Sequence, residues 1–438
     1  MLSLIFLVIS PAIYSQTCIQ NFAPKPPLGF NSFDSYRSRL TEDKAYALMD
    51  VMAEKYLPFG YEYFVMDAGW YSTMNPERHQ GLELESFGVC VVRQDYFPNG
   101  IKVLTDYAHQ KGLKFGVWIM RGIPRRAVEQ NLPIPGTLYF ARDIADTNSV
   151  CGWSRSNYGV DMTKPGAQPY YNTLIDALAG LGIDFIKVDD MVPNPREIVA
   201  IAKAIEEGGH TMIYSLSPGD VHHPTHLPYY RRANMLRITR DIWDNPLSIE
   251  KGFFAWEKFQ GTERPGFWPD LDMIPFGRLD VVNQQARQSK FNPNQVKTFI
   301  TQRALAASPL IIGGDLLTMD DFSYRLLTNR EMLACNQNGV MGVNVYRAGN
   351  VDVWLTPHKV DLGMGWIGIF NRSKSDREVT LTKKDLGFVA FEASYNLSVA
   401  RQSFRLEDIW SDETITIEDK HTFTLPAEGV AFFKFQMQ

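Results

Sequence analysis

The sequence predicts a (β/α)8 barrel, a TIM barrel of the α/β class, followed by a C-terminal antiparallel β-sandwich domain, and three observations predict it. From about residue 27 to 330 the chain repeats a short apolar run ending in a polar or acidic residue and then a helical stretch, the pattern of βα units. Eight such runs occur, the number that closes a barrel. After about residue 337 helical periodicity fades into alternating strands separated by turn residues, as an antiparallel β-domain requires.

The eight runs are Leu28 to Phe33, Tyr61 to Asp67, Leu113 to Met120, Phe185 to Asp190, Met212 to Leu216, Leu236 to Asp241, Asp272 to Phe276 and Leu310 to Asp315. Helical stretches between them include Thr41 to Ala53, Ala167 to Ala179, Pro195 to Glu206 and Asn294 to Ala307. Glu42 and Asp43 suit the positive N-terminal end of the first of these. In the last hundred or so residues the strands are Val351 to Leu355, Trp366 to Asn371, Glu378 to Leu381 and Val430 to Phe435. A chain of 438 residues exceeds what one core usually organises, so the barrel is expected over 16–336 and the β-domain over 337–438.

With 45% hydrophobic and 21% charged residues the chain has the composition of a compact globule. A formal net charge of -5 without basic patches argues against a nucleic-acid partner and for a neutral or small polar ligand. The apolar stretch Leu2 to Ile9, followed by Pro11, Ala12 and Ser15, reads as a signal peptide over residues 1–15, although no basic residue precedes it. Export to the periplasm or medium is therefore expected. No other stretch approaches the roughly 18 unbroken apolar residues of a membrane span. The cysteines at 18, 90, 151 and 335 have no metal-like spacing. Isolated thiols are the expectation, with a Cys90–Cys151 bridge as the alternative.

Barrel enzymes gather their chemistry where the βα loops converge, at the C-terminal strand ends. Asp67, Asp189, Asp190, Asp241, Asp272 and Asp315 are the acidic candidates for such ends, and nearly all of them follow an apolar run. A single strand-end aspartate is more often a cap or turn residue, but this many at equivalent positions point to a carboxylate-lined pocket. Glycoside hydrolysis needs two carboxyl groups, one to protonate the leaving oxygen and one to attack or to activate water. In Phe185-Ile186-Lys187-Val188-Asp189-Asp190, residues 187 and 189 share a strand face, so Lys187 is expected beside Asp189 to favour a carboxylate nucleophile. In Arg237-Ile238-Thr239-Arg240-Asp241-Ile242-Trp243, an aromatic follows Asp241 and is expected to desolvate it for acid work, against the pull of Arg237 and Arg240.

Several segments resemble glycoside hydrolase family 27, that of the α-galactosidases. They are Pro27 to Phe33, Gly60 to Tyr63, Lys187 to Asp189, Arg237 with Asp241, Trp268 to Met273, and Ser308 to Leu310 through Gly313 to Asp315. The resemblance continues through Asn336-Gln337 into the β-domain. It implies a retaining exo-glycosidase that needs neither metal nor cofactor, with Asp189 as nucleophile and Asp241 as acid/base, acting on terminal α-galactosidic bonds of an oligosaccharide or polysaccharide. It also implies sugar-binding roles for Phe33, Asp67, Trp118, Lys187, Ser217, Arg237 and Asp272. The plainer readings are that Arg237 neutralises Asp241 and that Trp118 fills the barrel. Three departures from the family pattern stand out. Ala68 follows Asp67 where paired aspartates are usual, Ser217 replaces a glutamate after the fifth strand, and Met191 replaces a cysteine, so the family's active-site disulfide is not expected.

These departures bear on the sugar more than on the mechanism. An α-N-acetylgalactosaminide, a β-L-arabinopyranoside or an isomaltose-type α-linkage are the alternatives to an α-galactoside. A non-catalytic sugar-binding protein is a further class, against which the retention of both aspartates speaks. His222, His223 and His226 would suit zinc only if they converged, and neither helical spacing nor a nearby cysteine supports that. The run from Arg121 to Arg126 reads as loop anchoring around Gly122 and Pro124 rather than as an anion site.

Overall fold

The structure, a computed structural model, describes residues 18–71, 90–219, 222–282, 285–395, 402–411 and 413–438. The expected signal peptide, residues 1–15, lies outside the described residues.

Eight parallel strands build the barrel: β1 (Leu28–Asn31), β2 (Tyr63–Met66), β3 (Lys114–Met120), β4 (Phe185–Asp189), β5 (Ile213–Leu216), β6 (Met235–Arg237), β7 (Trp268–Asp270) and β8 (Leu310–Ile312). They hydrogen-bond in the order β7-β6-β5-β4-β3-β2-β1-β8. A parallel bridge between Ile274 and Ile312 carries the chain beyond β7 alongside β8 and closes the ring.

The period-two alternation of a strand decides what each face meets. Phe64, Met66, Phe115, Ile186, Val188, Tyr214, Leu216, Leu310 and Ile312 join the large core shared with the helices. Tyr63, Val65, Phe185, Ile213, Met235, Trp268 and Ile311 form the smaller cluster within the barrel. Space there is tight, since a Cβ on Gly116 would come within 2.8 Å of the Phe185 Cβ. Continuing each inward row by two residues replaces apolar by polar groups. Val65 gives way to Asp67, Phe185 to Lys187 and then Asp189, and Met235 to Arg237. The polar ends of these rows make the floor of the site.

The surrounding helices include α1 (Glu42–Val51), α2 (Lys102–Gln110), α3 (Ala167–Gly180), α4 (Pro195–Glu207), α5 (Pro246–Phe259) and α6 (Pro293–Leu305). Proline in the first turn starts α4, α5 and α6, where its missing N–H costs nothing. Three strands depart from the sequence reading, the eighth by stopping at Ile312 short of Asp315. The seventh was expected over Asp272 to Phe276, but β7 lies earlier because Asp272 takes a left-handed backbone, φ 74°, that breaks the ladder. The sixth stops at Arg237, which leaves Asp241 on the loop beyond it.

The helix Arg330–Gln337 ends the barrel, and an antiparallel β-domain follows from Val343. Its main sheet orders β9 (Val343–Ala348), β10 (Val351–Pro357), β11 (Met364–Asn371), β16 (Val430–Met437), β13 (Phe404–Asp408) and β14 (Thr414–Ile417). The pair β12 (Arg377–Thr382) with β15 (Lys420–Leu425) packs over it through Leu381, Phe388, Phe404, Phe423 and Phe435. Trp256 of α5 stacks on Trp354 of β10 with ring centroids 3.7 Å apart, and Arg372 pairs with Glu250, so the β-domain is docked firmly on the barrel.

Candidate active site

A cleft of about 320 Å³ opens at the C-terminal ends of the barrel strands, with Phe33, Asp67, Trp118, Lys187, Asp189, Arg237, Asp241 and Asp272 in its wall. The structure thus brings together, from six segments, all the expected site residues except Ser217. Ser217 is buried, its Oγ has no partner, and it borders a small interior cavity of about 20 Å³ beneath the cleft, while Pro218 takes the place in the wall.

Asp189 ends β4. Its Oδ2 accepts a hydrogen bond from Trp118 Nε1 at 2.9 Å, and its Oδ1 has no protein partner. Trp118 is more than an apolar wall, because it orients this carboxylate. The indole is itself fixed by Tyr71 stacked at 5.8 Å and by Trp70 Nε1 donating to the Trp118 carbonyl at 2.7 Å. Asp190 faces the other way. A left-handed backbone, φ 63°, sends its carboxylate to Arg121 at 2.8 Å, and Arg121 also binds Glu197 at 2.6 Å and donates its backbone N–H to the Asp189 carbonyl. Arg121 is therefore the anchor of this strand end rather than an anion site.

Lys187 bonds Asp67 rather than Asp189. Its Nζ lies 2.8 Å from Asp67 Oδ2, which also accepts from Asn31 Nδ2 at 2.8 Å, and the Ala68 N–H donates to Oδ1 at 2.8 Å. Asp67 is thereby locked. Burial works against the Lys187 ammonium, but the carboxylates of Asp67 and Asp189 more than reverse this and hold it above the ordinary lysine value. Lys187 therefore contributes positive field to Asp189 without a direct bond.

Asp241 stands on the opposite rim and contrasts with Asp189 in exposure. Its side chain is 69% exposed and is tied by Arg237 Nη2 at 2.7 Å. Trp243 does not desolvate it as expected, since that ring is occupied by the Arg37 guanidinium 4.3 Å above it. Arg237 also reaches Asp272 at 3.4 Å, and Asp272 Oδ2 accepts the Ile242 N–H at 2.8 Å. The strained backbone of Asp272 is paid for by these bonds, as is common where a site over-determines one residue. Behind it, burial and the Asp272 charge raise the Asp270 carboxyl to about 7.

This arrangement offers a fixed carboxylate with one free oxygen, a second accessible carboxyl across a cleft, and a polar floor. Residues 20–216 match the Melibiase family model and residues 157–338 the model described as alpha galactosidase A. The chain is 35% identical to a glycoside hydrolase family 27 β-L-arabinopyranosidase from Geobacillus stearothermophilus, over 95% of this chain and 98% of that one, with a TM-score of 0.87. The chain belongs to glycoside hydrolase family 27. It is also similar to a structure described as a putative α-N-acetylgalactosaminidase from Bacillus halodurans, at 31% identity over 94% of this chain and 97% of that one, TM-score 0.82. Among curated proteins it is 26% identical over 387 residues to alpha-galactosidase 2 of Arabidopsis thaliana, covering 86% of this chain and 84% of that protein.

This family 27 hydrolase has cleft residues that the sequence reading passed over as site groups: Asp34, Trp153, Arg240, Trp243 and Met273. Asp34 sits three residues beyond β1 and Trp153 lies in the long β3–α3 connection, so neither ends a strand. A Trp that is 44% exposed in such a connection is the signal that structure adds. Conversely Asp315, expected as a strand-end acid, stands three residues beyond β8, caps the turn Leu316–Thr318 and accepts the Tyr36 hydroxyl at 2.8 Å, outside the cleft wall. The three histidines do not converge. His222 Nε2 donates to the Arg237 carbonyl at 2.9 Å and His223 Nδ1 bonds the Thr225 hydroxyl at 2.7 Å. Among the described residues no cluster is placed to hold a metal, and no helix is long and apolar enough to cross a membrane. The four cysteines are all free thiols, so Cys90 and Cys151 are not bridged.

Proposed function

We propose that the enzyme is a retaining exo-glycosidase in which Asp189 attacks the anomeric carbon while Asp241 gives a proton to the departing glycosidic oxygen. The bond from anomeric carbon to that oxygen breaks as the bond to Asp189 forms. Asp241, now ionised, takes a proton from water, whose oxygen displaces Asp189 and releases the sugar with its original anomeric configuration. The observation that carries this reading is the setting of Asp189, oriented through one oxygen by Trp118 and unbonded at the other, in a cleft shared with Asp241. The exposure of Asp241 suits a group that must meet both leaving oxygen and water.

For the sugar we place a β-L-arabinopyranoside first and an α-galactoside second, the reverse of the order the sequence reading gave. The two rings share their configuration, and the arabinopyranoside lacks only the hydroxymethyl group. Ala68 removes one carboxylate that family members use to grip hydroxyls, so a pyranose with one hydroxyl fewer forfeits nothing there. The 35% identity to a β-L-arabinopyranosidase supports the same order. Asp67, Lys187, Arg237 and Asp272, all in the cleft wall, keep the α-galactoside within reach. A charged acceptor is worth about 1.5–3 kcal/mol, or roughly tenfold and upward in efficiency. The test is kcat/KM on the aryl β-L-arabinopyranoside, α-galactoside, α-N-acetylgalactosaminide and α-glucoside. Wild type is expected to favour the arabinopyranoside by about tenfold, and Ala68→Asp to move the ranking toward the galactoside by about the same factor. Exclusive use of the galactoside, unchanged in Ala68→Asp, would overturn this order. The N-terminal apolar stretch supports export, which sequencing the N-terminus of the protein from culture medium or periplasm tests.

A further inference from the structure

Asp34 stands in the wall of the cleft and takes no part in the chemistry above. It lies in the single helical turn Phe33–Tyr36 that follows β1, is 1% exposed, and shares the wall with Phe33, Ala68, Trp243 and Asp272. Its Oδ2 has no hydrogen-bond partner. Just beyond β8, Gly313 packs so closely that a Cβ there would overlap the Asp34 carboxyl. The backbone on that side holds the group in place without bonding it. An unbonded buried carboxyl oxygen is costly, and Asp34 keeps one against Gly313 while the residue lines the cleft.

We propose that Asp34 is a sugar-binding residue whose carboxyl exchanges a hydrogen bond with one hydroxyl of the bound pyranose, supplying on the β1 side the grip that Ala68 cannot. This rests on the reading that a pyranoside fills the cleft. The electrostatic surroundings fit a neutral acid, which is donor as well as acceptor. Burial and the Asp272 carboxylate, with Asp67 adding to them, push Asp34 well above the ordinary carboxylate range. Arg37 and Lys187 pull the other way without reversing it, and both are committed elsewhere, Arg37 to Asp280 and Lys187 to Asp67.

The experiment compares full-length wild type, Asp34→Ala and Asp34→Asn on whichever aryl glycoside wild type hydrolyses best, with kcat and KM resolved across pH. Calorimetric titration with L-arabinose and with D-galactose reads binding independently of turnover. Asp34→Ala is expected to raise KM and weaken sugar binding by about tenfold or more, without a loss of melting temperature. Asp34→Asn, which keeps a donor and an acceptor, recovers most of that loss and removes the decline on the alkaline side that ionising Asp34 causes. Unchanged KM and binding in Asp34→Ala, or a lowered melting temperature with no binding defect, would overturn the proposal. If wild type cleaves no glycoside but binds sugar, the proposed reaction fails while the titration still decides on Asp34. If it binds neither sugar, the proposal for Asp34 falls too.

Discussion

On the β3–β4 rim of the cleft, Asp189 ends a strand, takes a hydrogen bond from a tryptophan that is itself stacked and bonded, and lies in the field of a buried lysine. On the β6–β7 rim, Asp241 stands four residues past its strand, mostly exposed, with Arg237 at 2.7 Å as its ion-pair partner. The same side-chain chemistry is thus held rigidly in one place and loosely in the other. A nucleophile must meet the anomeric carbon at a fixed angle, whereas an acid/base must exchange protons with leaving group and water in turn. The difference in support is what the two proposed roles require.

The comparison can be broken at either rim. Asp189→Asn keeps the shape and the Trp118 contact but removes the attacking charge, and kcat should fall by roughly 10⁴-fold or more with an unchanged melting curve. Asp241→Ala should cost about 10²- to 10⁴-fold on a glycoside with a poor leaving group and far less on one whose aglycone departs without a proton. A small external nucleophile such as azide should restore part of the second step. If leaving-group ability made no difference in Asp241→Ala, the acid/base assignment would fail. Trp118→Phe sharpens the contrast, because it keeps the apolar wall and deletes only the bond to Asp189 Oδ2. It should lower kcat by about 10- to 100-fold, the worth of a hydrogen bond to a charged group, and leave KM nearly unmoved. A change in KM alone would make Trp118 a wall and nothing more.

Much of this site was legible in the sequence because strand periodicity is a strong local rule. It put Lys187 and Asp189 on one strand face and Asp67 at the end of another strand, and the family pattern added Arg237; all four meet in the cleft. Pairing was not legible. Lys187 chooses Asp67, 120 residues away, because adjacent inward rows of a closed barrel converge, and no local pattern encodes that choice. β7 lies before the run that opens at Asp272, because the left-handed backbone of that residue breaks the ladder there. Asp34 escapes a rule built on strand ends, because it lies in the helical turn beyond β1. Ser217 was expected at the sugar because it stands where the family pattern has a glutamate after the fifth strand, yet it borders the small cavity beneath the cleft and Pro218 forms the wall.

The central claim is that Asp189 becomes covalently bonded to the sugar. An activated 2-deoxy-2-fluoro glycoside of the preferred sugar slows both steps of a double displacement, the second more than the first when the leaving group is good. The enzyme incubated with it should gain the mass of one fluoroglycosyl unit, and peptide mass spectrometry should find that unit on the segment carrying Asp189. Proton NMR of normal turnover should then show the retained anomer first. An adduct on another carboxylate, or an inverted first-formed product with no adduct, would contradict the account.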